Sequence, residues 1–577
     1  MATWPKSGGY APDKECRFDA LAKGPFPLRQ EHTIDTNSPA RERFSRRHAA
    51  ALALALLMVA ATVSVTSSRA GATGHSSGKP LSIDLESATV AQLDGLLDSG
   101  KISSTKLTEA YLDRIRALNS QGPSLNAIRS VNPNAMKEAA AADRMRRGKG
   151  PHSPLLGIPV VVKDNIDVAG MPTTAGSVAL ARSYPAKDAP IVAQFRKAGA
   201  VILGKANLTE FANYLTSGMP GGYSSLGGQV LNAYDGSQSP SGSSAGSGVA
   251  ASVGLGAVTV GTETSGSILS PAYSNSVVGI KPTVGLASRT GIVPIAASQD
   301  TAGPLTRTVA DAAATLTALS GKDREDPATA ANPLVGHDFT DDLSTTALRG
   351  ARIGVVASQV PAAGTDNRAL WDAAVTALKD QGATLVDVTL DTSGHSSTVL
   401  SYEFKRDLNA YLARLPRNAP MKSLADIIAY NTAHPTEALK FGQVNALNSQ
   451  AKDLGADSAD TAAYKASRAQ DLADSKDRID AVMKDNDLTA LLFANSGSAG
   501  IGAKAGYPSV SVPAGYQAAN RRPFSISFLG TAWSEPALVG YAYAYEQATK
   551  LRRPPSVINP APYRCTALTS FTETCAP

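Results

Sequence analysis

From about residue 85 onward, short continuously apolar runs alternate with stretches of helical period. The apolar runs fall at 158–162, 200–203, 257–260, 352–356, 490–493 and 510–512. Helical spacing predicts helices near 310–319, 370–378 and 462–483. A further helix is predicted through Leu107, Tyr111, Leu112 and Ile115, with Ser103 or Ser104 as its N-cap. Strands that are apolar throughout, rather than alternating, predict a sheet covered on both faces. One region departs from this rhythm. Residues 217–248 are rich in Gly and Ser and run into a second Gly-rich stretch at 253–266. Strand and helix signals bracket both, so they are read as a backbone-lined site rather than a linker.

Composition adds two points. The chain has 577 residues and a formal net charge of +6. Residues 1–72 hold ten Lys/Arg against six Asp/Glu, leaving 45 against 43 for the remainder. The body is thus close to neutral and lacks the basic footprint of a nucleic-acid binder. The leader explains the excess. Ser45-Arg46-Arg47 precedes an Ala/Leu-rich run over 49–65, and Ala70-Gly71-Ala72 has the form of a cleavage site. Residues 1–72 are therefore expected to be a twin-arginine-like export signal, followed by a linker at 73–84. The apolar run is shorter than the roughly 20 residues of a membrane span. The mature protein is expected to be secreted, without stable membrane association. Among three cysteines, Cys565 and Cys575 lie in a tail at 563–577 and are expected to form a disulfide after export. No CxxC pair points to zinc, and neither a metal nor a cofactor is expected.

Several catalytic patterns compete. Gly199-Ala-Val-Ile-Leu-Gly204-Lys205 resembles a phosphate loop, but Ala206 replaces the Ser/Thr that would bind magnesium, and the middle reads as a strand. Gly242-Ser243-Ser244-Ala245-Gly246 matches a nucleophile elbow centred on Ser244, with His337, His395 and His434 downstream. An elbow should follow a strand directly, and Ser237-Gln238-Ser239-Pro240 is no strand. The S-x-x-K pairs Ser103/Lys106 and Ser449/Lys452 lie on polar helical stretches without companion motifs.

A fourth pattern is an ordered constellation. It comprises Gly157-Ile-Pro-Val-Val-Val-Lys163-Asp164, then Ser241-Gly242-Ser243-Ser244-Ala245-Gly246-Ser247, then Gly261-Thr262-Glu263-Thr264-Ser265-Gly266-Ser267, and finally Asp300-Thr301-Ala302-Gly303-Pro304. A lysine ending a buried strand requires a partner. This set resembles the amidase signature family from about residue 85 to 560. Gly279-Ile-Lys-Pro-Thr-Val-Gly285 and Phe528-Leu-Gly-Thr-Ala-Trp-Ser-Glu-Pro536 make it most similar to the peptide amidase branch.

The resemblance implies a fold and a chemistry. The fold is α/β, a single large domain over 85–562 with a mixed twisted sheet and helices on both faces. The chemistry is hydrolysis of carboxamide C–N bonds, with ammonia released from C-terminal peptide amides. Small amides or esters are the alternative substrates, and a non-catalytic amidase-like binding protein is the rival from another class. Ser267 matches the nucleophile, Ser243 the bridging serine held by a cis peptide, and Lys163 the general base, with Ser244 as triad support. Thr264, Ser265 and Gly266 match the oxyanion hole. No histidine falls within these motifs, so a lysine-driven triad is the simplest solution, and it requires burial and neighbouring groups to lower the lysine pKa. This chain departs from the family's usual residues at Ser241 and Ser265 (glycines), Glu263 (aspartate) and Leu269 (arginine), changes that alter the pocket floor. The expected partner is a small-molecule or peptide amide; the sequence leaves the oligomeric state open.

Overall fold

Residues 160, 161 and 162 are three successive valines without solvent exposure. Neighbouring side chains in a strand point to opposite faces, so both faces of the sheet here are covered. The computed structural model describes residues 83–148 and 150–563. The proposed leader at 1–72, most of the linker, and Cys565 and Cys575 lie outside the described residues.

Among the described residues, thirteen strands occur in chain order. They are β1 Ile128–Val131, β2 Pro159–Lys163, β3 Val201–Ala206, β4 Tyr223–Ser224, β5 Gly228–Gln229, β6 Val258–Glu263 and β7 Val278–Lys281. Then follow β8 Thr301–Thr306, β9 Arg352–Val356, β10 Thr384–Val388, β11 Ala490–Ala494, β12 Ser509–Tyr516 and β13 Pro523–Leu529. Strands β4 and β5 form a small hairpin. The other eleven form one sheet in the order β1-β3-β2-β6-β8-β7-β12-β13-β11-β9-β10. It is mixed: β2 runs parallel to β3 and β6, whereas β6 is antiparallel to β8 and β12 to β13. All six apolar runs are strands of this sheet.

The remaining five strands of the sheet were not legible locally, and β8 shows why. Thr-Ala-Gly-Pro-Leu-Thr carries Gly303 and Pro304 in the sheet interior, residues that argue against a central strand. A Cβ at Gly303 would lie 2.0 Å from the Ile280 carbonyl oxygen, so the close approach of β7 requires glycine there.

The predicted helices form at Val309–Leu319 and Asp366–Asp380, each capped by a threonine hydroxyl. The third is interrupted: Ala459–Leu472 passes through a π-turn at Ala473–Asp477 into Arg478–Asp485. The Gly/Ser-rich region is structured. It carries the β4–β5 hairpin and leads into the helix Ala245–Ser252, in which every residue is buried. Among the described residues no helix is long and apolar enough to cross a membrane.

Candidate active site

Lys163 ends β2 with no solvent exposure. Its Nζ is hydrogen-bonded to Ser243 Oγ at 2.8 Å, Thr262 Oγ1 at 2.9 Å and the Thr262 carbonyl at 3.2 Å. Pairing of β2 with β6 makes this possible, because it brings the C-terminal ends of two parallel strands side by side. Burial pulls the Lys163 pKa down to about 7, against the opposing pull of the Asp300 and Glu263 carboxylates. A lysine near neutrality can exchange a proton at physiological pH, which an exposed one cannot.

Ser243 and Ser244 precede the helix Ala245–Ser252, and the Gly242–Ser243 peptide is cis. Ser244 is locked onto β6: its hydroxyl donates to the Thr262 carbonyl at 3.0 Å and accepts the Thr262 N–H at 3.2 Å. Gly261 permits this approach, since a Cβ there would lie 2.7 Å from Ser244 Oγ. The Ser243 carbonyl accepts the Thr209 N–H at 3.0 Å.

The loop 264–267 leaves the end of β6 and is anchored at several points. The Ser267 carbonyl accepts the Ser244 N–H at 3.2 Å. The Thr264 hydroxyl donates to Asp300. The buried Glu263 carboxylate accepts the N–H groups of Ile268 at 2.7 Å and Leu269 at 2.9 Å, spanning the loop. Gly266 has φ of +86°, a conformation that favours glycine. Asp300 also accepts the N–H groups of Ile295 at 2.8 Å and Ala296 at 2.9 Å. Its surroundings desolvate it and push its pKa up to about 7, against these hydrogen bonds. Two cavities flank the loop. One of about 450 Å³ is lined by Thr262, Thr264 and Asp300, and a smaller one of about 200 Å³ by Ser265, Gln299 and Lys504.

The sequence profile described as Amidase matches residues 106–499. The chain belongs to the amidase family. It is an amide-hydrolysing enzyme. A probable amidase of Arabidopsis thaliana is 39% identical over 490 residues, covering 82% of this chain and 92% of the relative. The crystal structure of native peptide amidase from Stenotrophomonas maltophilia is similar with a TM-score of 0.75 and 44% identity, covering 81% of this chain and 98% of that one. A glutamyl-tRNA(Gln) amidotransferase subunit of Halorhodospira halophila is 32% identical, covering 80% and 97% respectively.

In this amidase the rival motifs have other employment. Lys205 is fully buried in an ion pair with Asp164 at 3.2 Å, and a Cβ at Gly204 would lie 2.4 Å from the Ser130 carbonyl oxygen. The stretch is a paired strand, not a phosphate cradle. His337 pairs with Asp342 at 2.7 Å, His395 with Asp474 at 2.9 Å, and His434 stacks on Tyr430. Among the described residues Ser244 has no histidine partner. Ser103 caps the helix Ser104–Ile115, while Lys106 pairs with Glu109 and Lys452 with Asp460. Asp94, Asp98 and His152 come close enough to share an ion, but Arg146 already engages both carboxylates.

Sequence reasoning named no role for Thr262, Asn165, Glu263 or Asp300. Each lies inside a quoted motif or beside Lys163, and that adjacency was the available signal. Asn165 Nδ2 donates to Thr262 Oγ1 at 3.0 Å, extending the network around Lys163.

Proposed function

We propose that this amidase is exported and releases ammonia from C-terminal peptide amides through Ser267, Ser243 and Lys163. Neutral Lys163 takes the Ser243 proton as Ser243 takes the Ser267 proton, and Ser267 Oγ attacks the carboxamide carbon. The backbone N–H groups of 264–267 receive the developing oxyanion, each such donor contributing about 3–4 kcal/mol in comparable sites. Collapse breaks the C–N bond, the proton returns to nitrogen, and ammonia leaves. Water then attacks the acyl-enzyme by the same relay, giving the free acid and restoring Ser267.

The observation that carries this reading is the 2.8 Å contact between Ser243 Oγ and a lysine with no solvent exposure. The similarity to a peptide amidase at 44% identity supports the substrate class. Export argues against the role of the amidotransferase relatives, whose name carries a charged tRNA.

The test is ammonia release from an amidated dipeptide by residues 73–577, compared with the same protein carrying Ser267→Ala. Release by the first alone supports the reading. Release by neither moves the assay to small amides and esters, and equal release by both removes Ser267 as nucleophile. Export is checked by sequencing the N-terminus of protein recovered outside the cell; an intact leader there would contradict cleavage after Ala72.

A further inference from the structure

Every backbone N–H from Ile295 to Ser298, in the turn ahead of β8, is held by a carboxylate. Asp300 accepts those of Ile295 and Ala296. The Ala297 N–H donates to Asp407 Oδ2 at 2.9 Å, and the Ser298 N–H to Glu403 Oε2 at 3.0 Å. The Ser298 hydroxyl donates to the same Glu403 oxygen at 2.8 Å. Glu403 and Asp407 stand four positions apart in the helix Val399–Ala413, so they share one face of it. The turn contributes Ile295, Ala297 and Asp300 to the larger cavity and the buried Gln299 to the smaller.

Three carboxylates around one turn repel one another, and neutral acceptors or water would satisfy the same amides without that repulsion. What charged acceptors add is short, strong hydrogen bonds that fix a backbone in place. The acids are themselves held. Tyr464 donates its hydroxyl to Glu403 Oε1 at 2.6 Å. Arg406 lies 3.1 Å from the same oxygen and 2.7 Å from Asp407 Oδ1, with its guanidinium over the Tyr464 ring. At the far end of these contacts Asp300 receives the Thr264 hydroxyl, in the loop that carries Ser267.

We propose that Glu403 and Asp407 are positioning residues of the amidase reaction, a role that rests on 264–267 being the catalytic loop. They fix the turn 295–300, and thereby the Asp300 carboxylate that holds Thr264. A helix outside every sequence motif is thus tied to turnover.

Two substitutions at Glu403 separate the acceptor from the side chain that carries it. With an amidated dipeptide as substrate, Glu403→Ala is expected to lower kcat about tenfold while KM stays within about twofold of wild type. Glu403→Gln keeps an acceptor for Ser298 and is expected to bring kcat back to within about threefold. Melting temperatures establish that each variant is folded; should Glu403→Ala not fold, Asp407→Asn decides alone. That variant keeps an acceptor for Ala297 and removes a charge facing Asp300. Lys163 and Arg289 also interact with Asp300, and Arg406, Arg289 and Glu403 with Asp407. Without the Asp407 charge, Asp300 stays ionised to lower pH and favours the protonated form of Lys163. The acid limb of kcat should therefore move to higher pH, opposite to its shift in Asp300→Asn. A kcat for Glu403→Ala within twofold of wild type would overturn the proposal. So would a loss confined to KM, or an unmoved limb in Asp407→Asn. A wild type that releases no ammonia, or a Ser267→Ala variant that releases as much as wild type, would instead remove the catalytic-loop reading beneath it.

Discussion

Lys163 Nζ lies 2.8 Å from Ser243 Oγ, although 80 residues separate them in the chain. Around this contact the protein has removed water from an amine, and the charge state of that amine now depends on its protein neighbours rather than on solvent.

Replacing Lys163 by Ala should reduce neutral-pH amidase activity by about 10²–10⁴-fold, with partial recovery at high pH, where hydroxide takes over the base's role. In the wild type, activity should rise as pH passes through about 7, the value to which burial lowers this lysine. The same shift governs stability. A lysine with a depressed folded pKa is penalised wherever the unfolded chain binds its proton. The penalty is full below about pH 7 and vanishes above the ordinary value of 10.5. Lys163→Met should therefore raise the melting temperature more at pH 6 than at pH 10; the opposite trend would contradict a buried, depressed lysine.

Asp300→Asn keeps an acceptor for the Ile295 and Ala296 amides and removes the charge. The carboxylate raises the Lys163 pKa, so its loss should move the acid limb of the kcat profile to lower pH. Glu263 acts on Lys163 in the same direction and remains in the variant, while Asp407 and Arg289 also interact with Asp300. An unmoved limb with reduced kcat would assign Asp300 only to holding the loop through Thr264.

Ser244→Ala removes two hydrogen bonds to Thr262 and no reacting atom. Its kcat should fall by about 10–100-fold, while Ser267→Ala should abolish turnover. Steady-state ammonia assays on both variants decide this, and the reverse ranking would favour Ser244 as an elbow nucleophile.

Ser241 holds φ at +62° in a position where a side chain is disfavoured. Ser241→Gly should stabilise the protein by about 0.5–1 kcal/mol in denaturant titration, the relief of strain outweighing the greater freedom of the unfolded glycine. A destabilised variant would show that the Ser241 side chain contributes more than its backbone conformation costs.

Local pattern alone determined six strands, four helical stretches and the order of the Lys, Ser-Ser and Ser motifs. Hydrophobic period and capping are written in residues a few positions apart, so a sequence carries them directly. The lack of histidine in those motifs likewise pointed to lysine without any coordinates. Strand β8 escaped because Gly303 serves a close contact with β7 while Pro304 lies opposite Val260 of β6, relationships visible only once the sheet is assembled. Thr262 and Asn165 escaped for a related reason: Thr262 meets Lys163 across 99 residues of chain and Asn165 across 97. The register between β2 and β6 brings them together. The assembled sheet also decides which buried polar atoms find a partner, as Asn165 Nδ2 does and Thr301 Oγ1 does not. Chemistry-bearing residues were thus legible in the sequence, whereas their partners, the depth of their burial and the cavity beside them depend on long-range packing.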